Sequence, residues 1–322
     1  MKETTVIILN YNGLKHLRDC LKSLFNQTYK DFQAILVDNN STDGSKEFIK
    51  KKYPQIHLIA NKKNYGASGG WYIGSRYVRD LKNKPKFIVT LNNDVRLDQN
   101  FLEEGINILR RRKNLFFIAP KMYLYYSRGR INSTGDIFYW HGTAGNIGYG
   151  EKDGPKFNKE KEVFGVCTAG AFLRGGVFEK VGLFDPDFFY PLDDVDYFFR
   201  MQLQGMRGVY SPKPIMWHKH GATTKKMKEF NFSAYSHRNA LYIIIKCYPL
   251  KFLIIKSPKI FTHQLKILLK AIKAGKFIDF TKAYIDFFIH LPKMLKKRAA
   301  IQKKRTVSDA HLNTVISDKL PI

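Results

Sequence analysis

The sequence predicts an α/β fold, a mixed but mainly parallel sheet flanked by helices, with amphipathic helices added at the C-terminal end. Three observations carry this. Short apolar runs alternate with helix-period segments over roughly the first third of the 322 residues, and single helices between short strands impose parallel pairing. A polar, Asn- and Gly-rich segment follows each apolar run, where loops at the carboxyl ends of parallel strands lie. Beyond residue 230 the alternation gives way to long basic stretches with helical periodicity.

Taken in order, Thr5–Leu9 reads as a buried strand, and 14–27 as a helix with Leu14, Leu17, Leu21, Leu24 and Phe25 on one face. Strand patterns recur at 32–37, 56–60 and 86–91, separated by helices from about Ser45 and about Ala67. The loops after the strands are 10–13, 38–45, 61–70 and 92–98. Residues 121–165 are rich in Gly, Tyr, Asn and Ser without helical period and read as irregular strands and loops. Helical patterns return at 174–181 and 193–204. In 259–274, Phe261, Leu265, Leu268 and Ile272 form one stripe and Lys259, Lys266, Lys270 and Lys273 another. In 276–290, Asp279, Lys282 and Asp286 stand opposite an aromatic-rich surface. Such helices suit a membrane surface; the plainer reading packs them on the rest of the chain with a solvated Lys face. The expected division is an α/β domain over 1–230 and a basic helical region over 231–322.

Lys+Arg total 55 against 27 Asp+Glu, a formal charge of +28. This points to an anionic partner: nucleic acid, a phosphorylated small molecule or an acidic membrane. With 44% hydrophobic and 14% aromatic residues, a disordered polycation is excluded. Residues 231–322 hold 18 Lys+Arg and 4 Asp+Glu, half of the excess in under a third of the chain. Cys20, Cys167 and Cys247 give neither a disulfide framework nor a zinc spacing. The N-terminal residues lack a signal-peptide pattern. No apolar run reaches the roughly 18 residues of a membrane span; the best, 241–255, is interrupted by Lys246, Pro249 and Lys251. A cytoplasmic chain held peripherally at the inner face of the cell membrane is expected.

Five segments carry candidate chemistry. VDNNSTDGS (37–45) ends a strand on an acid able to accept from a base or ribose, or simply caps the next helix through Asp43 or Ser41. NYGASGG (64–70) opens a helix with glycines, which let backbone approach a phosphate. TLNNDV (90–95) sets Asn92, Asn93 and Asp94 at a strand end, oxygen ligands suited to Mg²⁺ or Mn²⁺ on a substrate phosphate. Asp193, Asp194 and Asp196 crowd into four residues, a repulsion that a metal, a base role or a cation partner relieves. Asp196 and Arg200 stand i,i+4 and can form a structural pair, and Asp193 can be a helix cap. WHKHG (217–221) offers His218 and His220, either able to complete a divalent-metal shell.

In this order these segments, with TVIILNYNG, GAFLRGGVFEKVGLFDPDFF and the RNAL at 238–241, resemble family 2 glycosyltransferases of the GT-A fold, a Rossmann-like nucleotide-sugar-binding fold. The likeness is to the rhamnosyltransferase-like, non-processive branch and covers about residues 4–221. It implies that Asn10 and Tyr11 border the base, Asp38 and Asn40 meet base or ribose, and Asn64 and Gly66 lie along the nucleoside diphosphate. Asn92 and Asn93 belong to the donor site, and Asp94 binds the metal with His218, or His220 in its place. It further implies that Ala169, Gly170 and Arg174 shape the sugar and acceptor site, and that Asp194 is the catalytic base with Asp193 beside it. The metal motif here holds one carboxylate, Asp94, and Arg207 is followed by Gly208 rather than the Trp of processive enzymes. The implied partners are a nucleotide-diphosphate sugar, first of all dTDP-rhamnose, a glycan or lipid-linked acceptor, and an anionic membrane. A sugar-nucleotide nucleotidyltransferase normally shows a Lys-bearing glycine-rich loop after its first strand, which NYNGLKHL matches poorly. A nucleic-acid-binding protein has no need of the acidic cluster, so no nucleic acid is expected as partner.

Overall fold

The computed structural model describes residues 2–219, 221 and 232–318. In chain order the elements are β1 (Thr4–Asn10), α1 (Leu14–Phe25), β2 (Phe32–Asp38), α2 (Ser45–Lys52), β3 (His57–Ala60), α3 (Gly66–Asp80), β4 (Phe87–Asn92), β5 (Val95–Leu97) and α4 (Phe101–Arg111). Then come β6 (Leu115–Leu124), β7 (Ile131–Ser133), β8 (Asp136–Tyr139), β9 (Ala144–Asn146), β10 (Lys161–Glu162), β11 (Gly170–Arg174), α5 (Val177–Lys180), α6 (Asp193–Leu203) and β12 (Arg207–His218). The chain continues as α7 (Phe232–Cys247), α8 (Leu250–Lys273), α9 (Phe277–Lys303), α10 (Asp309–Val315) and β13 (Ile316–Ser317).

The main sheet runs β10-β12-β6-β11-β4-β1-β2-β3, with β5 on β12 and β7 on β6. β1, β2, β3 and β4 are parallel, and β11 inserts antiparallel between β4 and β6. Strand side chains alternate between faces, and both faces here are covered. Val6 and Ile8 pack with α1 and α4, while Ile7, Ile35 and Val37 pack with α3, α6 and α7. This explains why the strands read as unbroken apolar runs. The register sets Asn10 opposite Asp38 and Leu9 opposite Asn92, so the polar residues ending β1, β2 and β4 gather at one edge.

The stretch 121–165 resolves into short strands: β8 and β9 form a small second sheet with β13, whose Ile316 pairs with Phe138. The helical pattern over 174–181 shrinks to α5, because Arg174 is the last residue of strand β11. Pro249 breaks the apolar run 241–255, ending α7 and capping α8. Tyr242, Ile243, Ile244, Cys247, Tyr248, Phe252, Met294 and Leu312 belong to the same buried cluster as α3 and α6. Among the described residues no helix is long and apolar enough to cross a membrane.

A buried ion network joins the C-terminal helices to α6. Lys246 of α7 is 1% exposed and donates to Asp185 Oδ2 at 2.5 Å and Asp196 Oδ1 at 2.7 Å. Arg200 Nε donates to the other oxygen of Asp196 at 3.0 Å, the pairing anticipated from their spacing. Lys297 of α9 reaches Asp185 and Asp187. Burial pushes Asp185 up, but Lys246 and Lys297 outweigh it and hold the carboxyl well below its ordinary range. The stability this contributes is present above the usual carboxylate value of about 4 and is lost as pH falls beneath it. Removing one partner of a buried pair leaves an uncompensated charge, at a cost of about 3–5 kcal/mol. Lys246→Met is therefore expected to lower the unfolding free energy by that order in urea titration; an unchanged midpoint contradicts the network's role.

Candidate active site

The site rises from the gathered strand ends. Asn10, fully buried, accepts from Asn93 Nδ2 at 2.6 Å and donates to Asp38 Oδ2 at 2.8 Å and Ser41 Oγ at 3.1 Å. Asp38 Oδ1 accepts from the Ser41 amide at 2.8 Å. Asp43 accepts from the amides of Leu14 and Ser45 and so caps α1 as well as α2. The loop before α3 is held by the Asn64 side chain, which accepts from the Gly66 amide at 2.8 Å, and by Asn39 Nδ2, which donates to the Gly66 carbonyl at 2.7 Å. Gly66 sits at φ +73°, and the Phe189 carbonyl occupies the place a Cβ would take, so only glycine lets these two loops meet.

Directly after Asp94 the chain turns into β5, which pairs antiparallel with β12 and sets His218 opposite Val95. His218 Nε2 thus lies 3.3 Å from Asp94 Oδ1. The other ring nitrogen, Nδ1, bonds Asn132 Oδ1 at 2.8 Å, which fixes the ring with Nε2 toward Asp94. Asp94 Oδ1 is buried without an aligned hydrogen bond. Burial pushes the Asp94 carboxyl up, yet His218 more than offsets this and the group sits below its ordinary range. A carboxylate oxygen and an imidazole nitrogen fit a divalent cation that takes its remaining ligands from a diphosphate and water. Among the described residues no cluster of three or more His, Cys, Asp or Glu could hold a metal by itself.

Across a cavity of about 770 Å³, lined by both groups, α6 begins with Asp193 and Asp194. The chain reaches it through Phe189 and Leu192, both at positive φ, with a cis peptide between Tyr190 and Pro191. Leu192, not Asp193, is the capping position, and Asp193 is the first helical residue. Asp194 Oδ1 accepts from the Val195 amide at 2.9 Å. Burial raises Asp194, against the pull of the Val195 and Thr168 amides. Asp193 is pushed well above its ordinary range by burial and then by the charge of Asp194, and its Oδ2 has no hydrogen-bond partner. Asp196 faces the other way, into the ion network beneath the helix.

Tyr11, Asn64, Gly66, Asn92, Asn93, Asp94, Asp193, Asp194 and His218 line the one cavity. Asn10 and Asp38 are buried and bonded to each other, and Asn40 takes φ +65°; these three are not among the residues that line the cavity. Arg174 requires a correction. β11 is antiparallel to β4, so four residues past Gly170 the strand has reached the opposite edge of the sheet. There Arg174 donates to the carbonyls of Leu109, Arg112 and Leu115, capping the end of α4 instead of shaping an acceptor site. Ala169 and Gly170 are buried next to Thr168, which lines the cavity, with Met216 filling the space beside Gly170. His220 lies outside the described residues. Sequence reasoning missed Asp136, Asn132, Thr168 and Lys219. Lys219 lines the cavity and bonds Asp19 at 2.7 Å. Asp136 and Asn132 sit in the segment without periodicity, where only their polarity beside Gly135 offered a signal.

Comparison with known proteins agrees with this geometry. The chain is 22% identical over 212 residues to the low-salt glycan biosynthesis hexosyltransferase Agl10 of Haloferax volcanii, covering 64% of each protein. It is 23% identical over 266 residues to the N-acetylglucosaminyl-diphospho-decaprenol L-rhamnosyltransferase of Mycobacterium tuberculosis, covering 74% of this chain and 83% of that one. The chain spans less than two thirds of the length of several curated relatives it matches. Among solved structures, the mannosyltransferase PcManGT of Pyrobaculum calidifontis, in complex with GDP-Man and Mn²⁺, superposes with a TM-score of 0.53 at 15% identity, covering 94% of this chain and 85% of that one. The fold is thus GT-A-like, and with residues 5–182 matching the model of glycosyl transferase family 2, more than half of its length, the chain belongs to that family.

Proposed function

We propose that the protein is an inverting glycosyltransferase that moves a sugar from a nucleotide diphosphate to a hydroxyl of a glycan or lipid-linked acceptor. The observation that carries this is that the Asp94–His218 pair and Asp194 line a single cavity. The acceptor oxygen attacks the anomeric carbon as the bond from that carbon to the diphosphate oxygen breaks, and the hydroxyl proton passes to Asp194. Asp94 and His218 would hold Mg²⁺ or Mn²⁺, which supplies Lewis-acid stabilisation of the leaving diphosphate. Asn132 orients His218, and the Asn10–Asn93–Asp38 network keeps the donor floor rigid. The rhamnosyltransferase relative supports dTDP-rhamnose as the first donor to try, and its lipid-diphosphate acceptor supports a role in cell-envelope polysaccharide or glycolipid assembly.

The lipid-linked reading also accounts for the tail. Phe261, Leu265, Leu269 and Ile272 stand exposed at helical spacing on α8, as do Ile278, Ile285, Phe288 and Ile289 on α9. Lysines lie between them. Exposed apolar stripes flanked by cations match an anionic membrane surface. We assign residues 1–230 the catalytic role and 231–322 this docking role, at the cytoplasmic face of the membrane.

Two measurements test these readings. Asp194→Asn is expected to keep nucleotide-sugar affinity in calorimetry while turnover falls by about 10²–10⁴-fold, and Asp94→Asn to lose Mn²⁺-dependent nucleotide affinity; near-normal turnover of Asp194→Asn contradicts the assignment. The combined variant Phe261→Ser, Ile278→Ser, Phe288→Ser and Ile289→Ser alters only exposed side chains. It should melt like the parent yet fail to sediment with phosphatidylglycerol vesicles; undiminished sedimentation returns the stripes to ordinary surface.

A further inference from the structure

The segment Asn132–Asp136 serves both ends of the cavity. Asn132 bonds the ring of His218, and Asp136 lies on the wall with Asp194. Its backbone is tightly fixed. The Asp136 amide donates to Gly165 O at 2.9 Å, the Ile147 amide to Gly135 O at 2.9 Å, and the Thr134 amide to Ile147 O at 3.0 Å. Ser133 Oγ donates to Gly135 O at 3.0 Å. Gly135 takes φ +108° with Val163 packed where a Cβ would stand. The Asp136 side chain is only 5% exposed, its Oδ1 has no hydrogen-bond partner, and among the described residues no cation pairs with it. A buried carboxyl held this firmly, on the wall of the cavity and left unpaired, is costly unless a ligand or a proton satisfies it.

We infer that Asp136 is a positioning residue of the catalytic centre, a carboxyl that keeps its proton and donates it in a hydrogen bond to the acceptor oxygen or to Asp194, so that Asp194 alone is ionised to receive the acceptor's proton. The inference rests on the reading of Asp194 as the base. Two carboxyls close enough to repel in a buried cavity do not both ionise at neutral pH. Asp194 has the Val195 amide at the start of α6 to stabilise its charge, whereas among the described residues no donor bonds Asp136 Oδ1. Burial first, and then the charge of Asp194, accordingly push Asp136 well above its ordinary range. Among the described residues, the other titratable groups facing the pair are Asp193 on α6, with Asp196 behind it, and the Cys167 thiol on the loop before β11. None of them is a cation. During transfer the acceptor proton goes to Asp194, and the Asp136 proton stays in place.

The test is infrared spectroscopy of the full chain without ligand at neutral pH, comparing wild type with Asp136→Asn and Asp194→Asn. Asp136→Asn should lose protonated-carboxyl absorption, and Asp194→Asn ionised-carboxylate absorption. Loss of carboxylate absorption alone in Asp136→Asn overturns the inference. So does a wild-type spectrum with no protonated carboxyl at neutral pH, a result that needs no variant to fold. In turnover of UDP-, GDP- or dTDP-sugars, Asp136→Asn should keep the acid limb of the pH profile and lose the alkaline limb where Asp136 ionises; retention of both limbs overturns it. Wild type that consumes no nucleotide sugar while the infrared loss persists contradicts the transfer reading alone.

Discussion

The contact of Lys246 with Asp185 and Asp196 is the interaction on which the catalytic end depends. α6 begins with three carboxylates in four residues, a cluster that repels itself. Lys246 and Arg200 neutralise Asp196 from beneath, so that the helix can face Asp193 and Asp194 toward the cavity. The same lysine belongs to α7, so α6, which carries the proposed base, is held by a segment that follows the family-matched residues. Lys297 extends the tie to α9 through Asp185 and Asp187. The C-terminal helices thus share the buried core of the sheet, and only their outward faces are available to a membrane.

The cavity separates its carboxyls by environment. His218 holds Asp94 below its ordinary range, which keeps it ionised and suited to a cation. Elsewhere on the same cavity burial raises Asp136, Asp193 and Asp194 together. Carboxyls pushed apart in this way can divide the work of leaving-group stabilisation and proton transfer.

Much of this was legible from the sequence. The alternation of strands and helices over the first 100 residues followed from periodicity, because both sheet faces are buried and each crossover helix has a clear apolar side. Asp94, His218 and Asp194 stand out in the sequence as polar residues at strand and helix ends, and the structure sets all three on one cavity. Arg174 was misread: its place depends on β11 running antiparallel, a property of pairing that local pattern does not encode. Asp136 and Asn132 were hidden in short strands whose order comes from Gly135, Ser133 and long-range backbone bonds rather than from apolar period. Lys246 read as a break in an apolar run. Its partners lie 50 and 61 residues away, so its burial was visible only in three dimensions.

The most direct test of this account is amide hydrogen exchange of Lys246→Met against wild type. If the lysine holds α6, protection should fall more at residues 193–197 than in β1 and β2. Equal protection at 193–197 in the two proteins would contradict the claim that the C-terminal helices position the base.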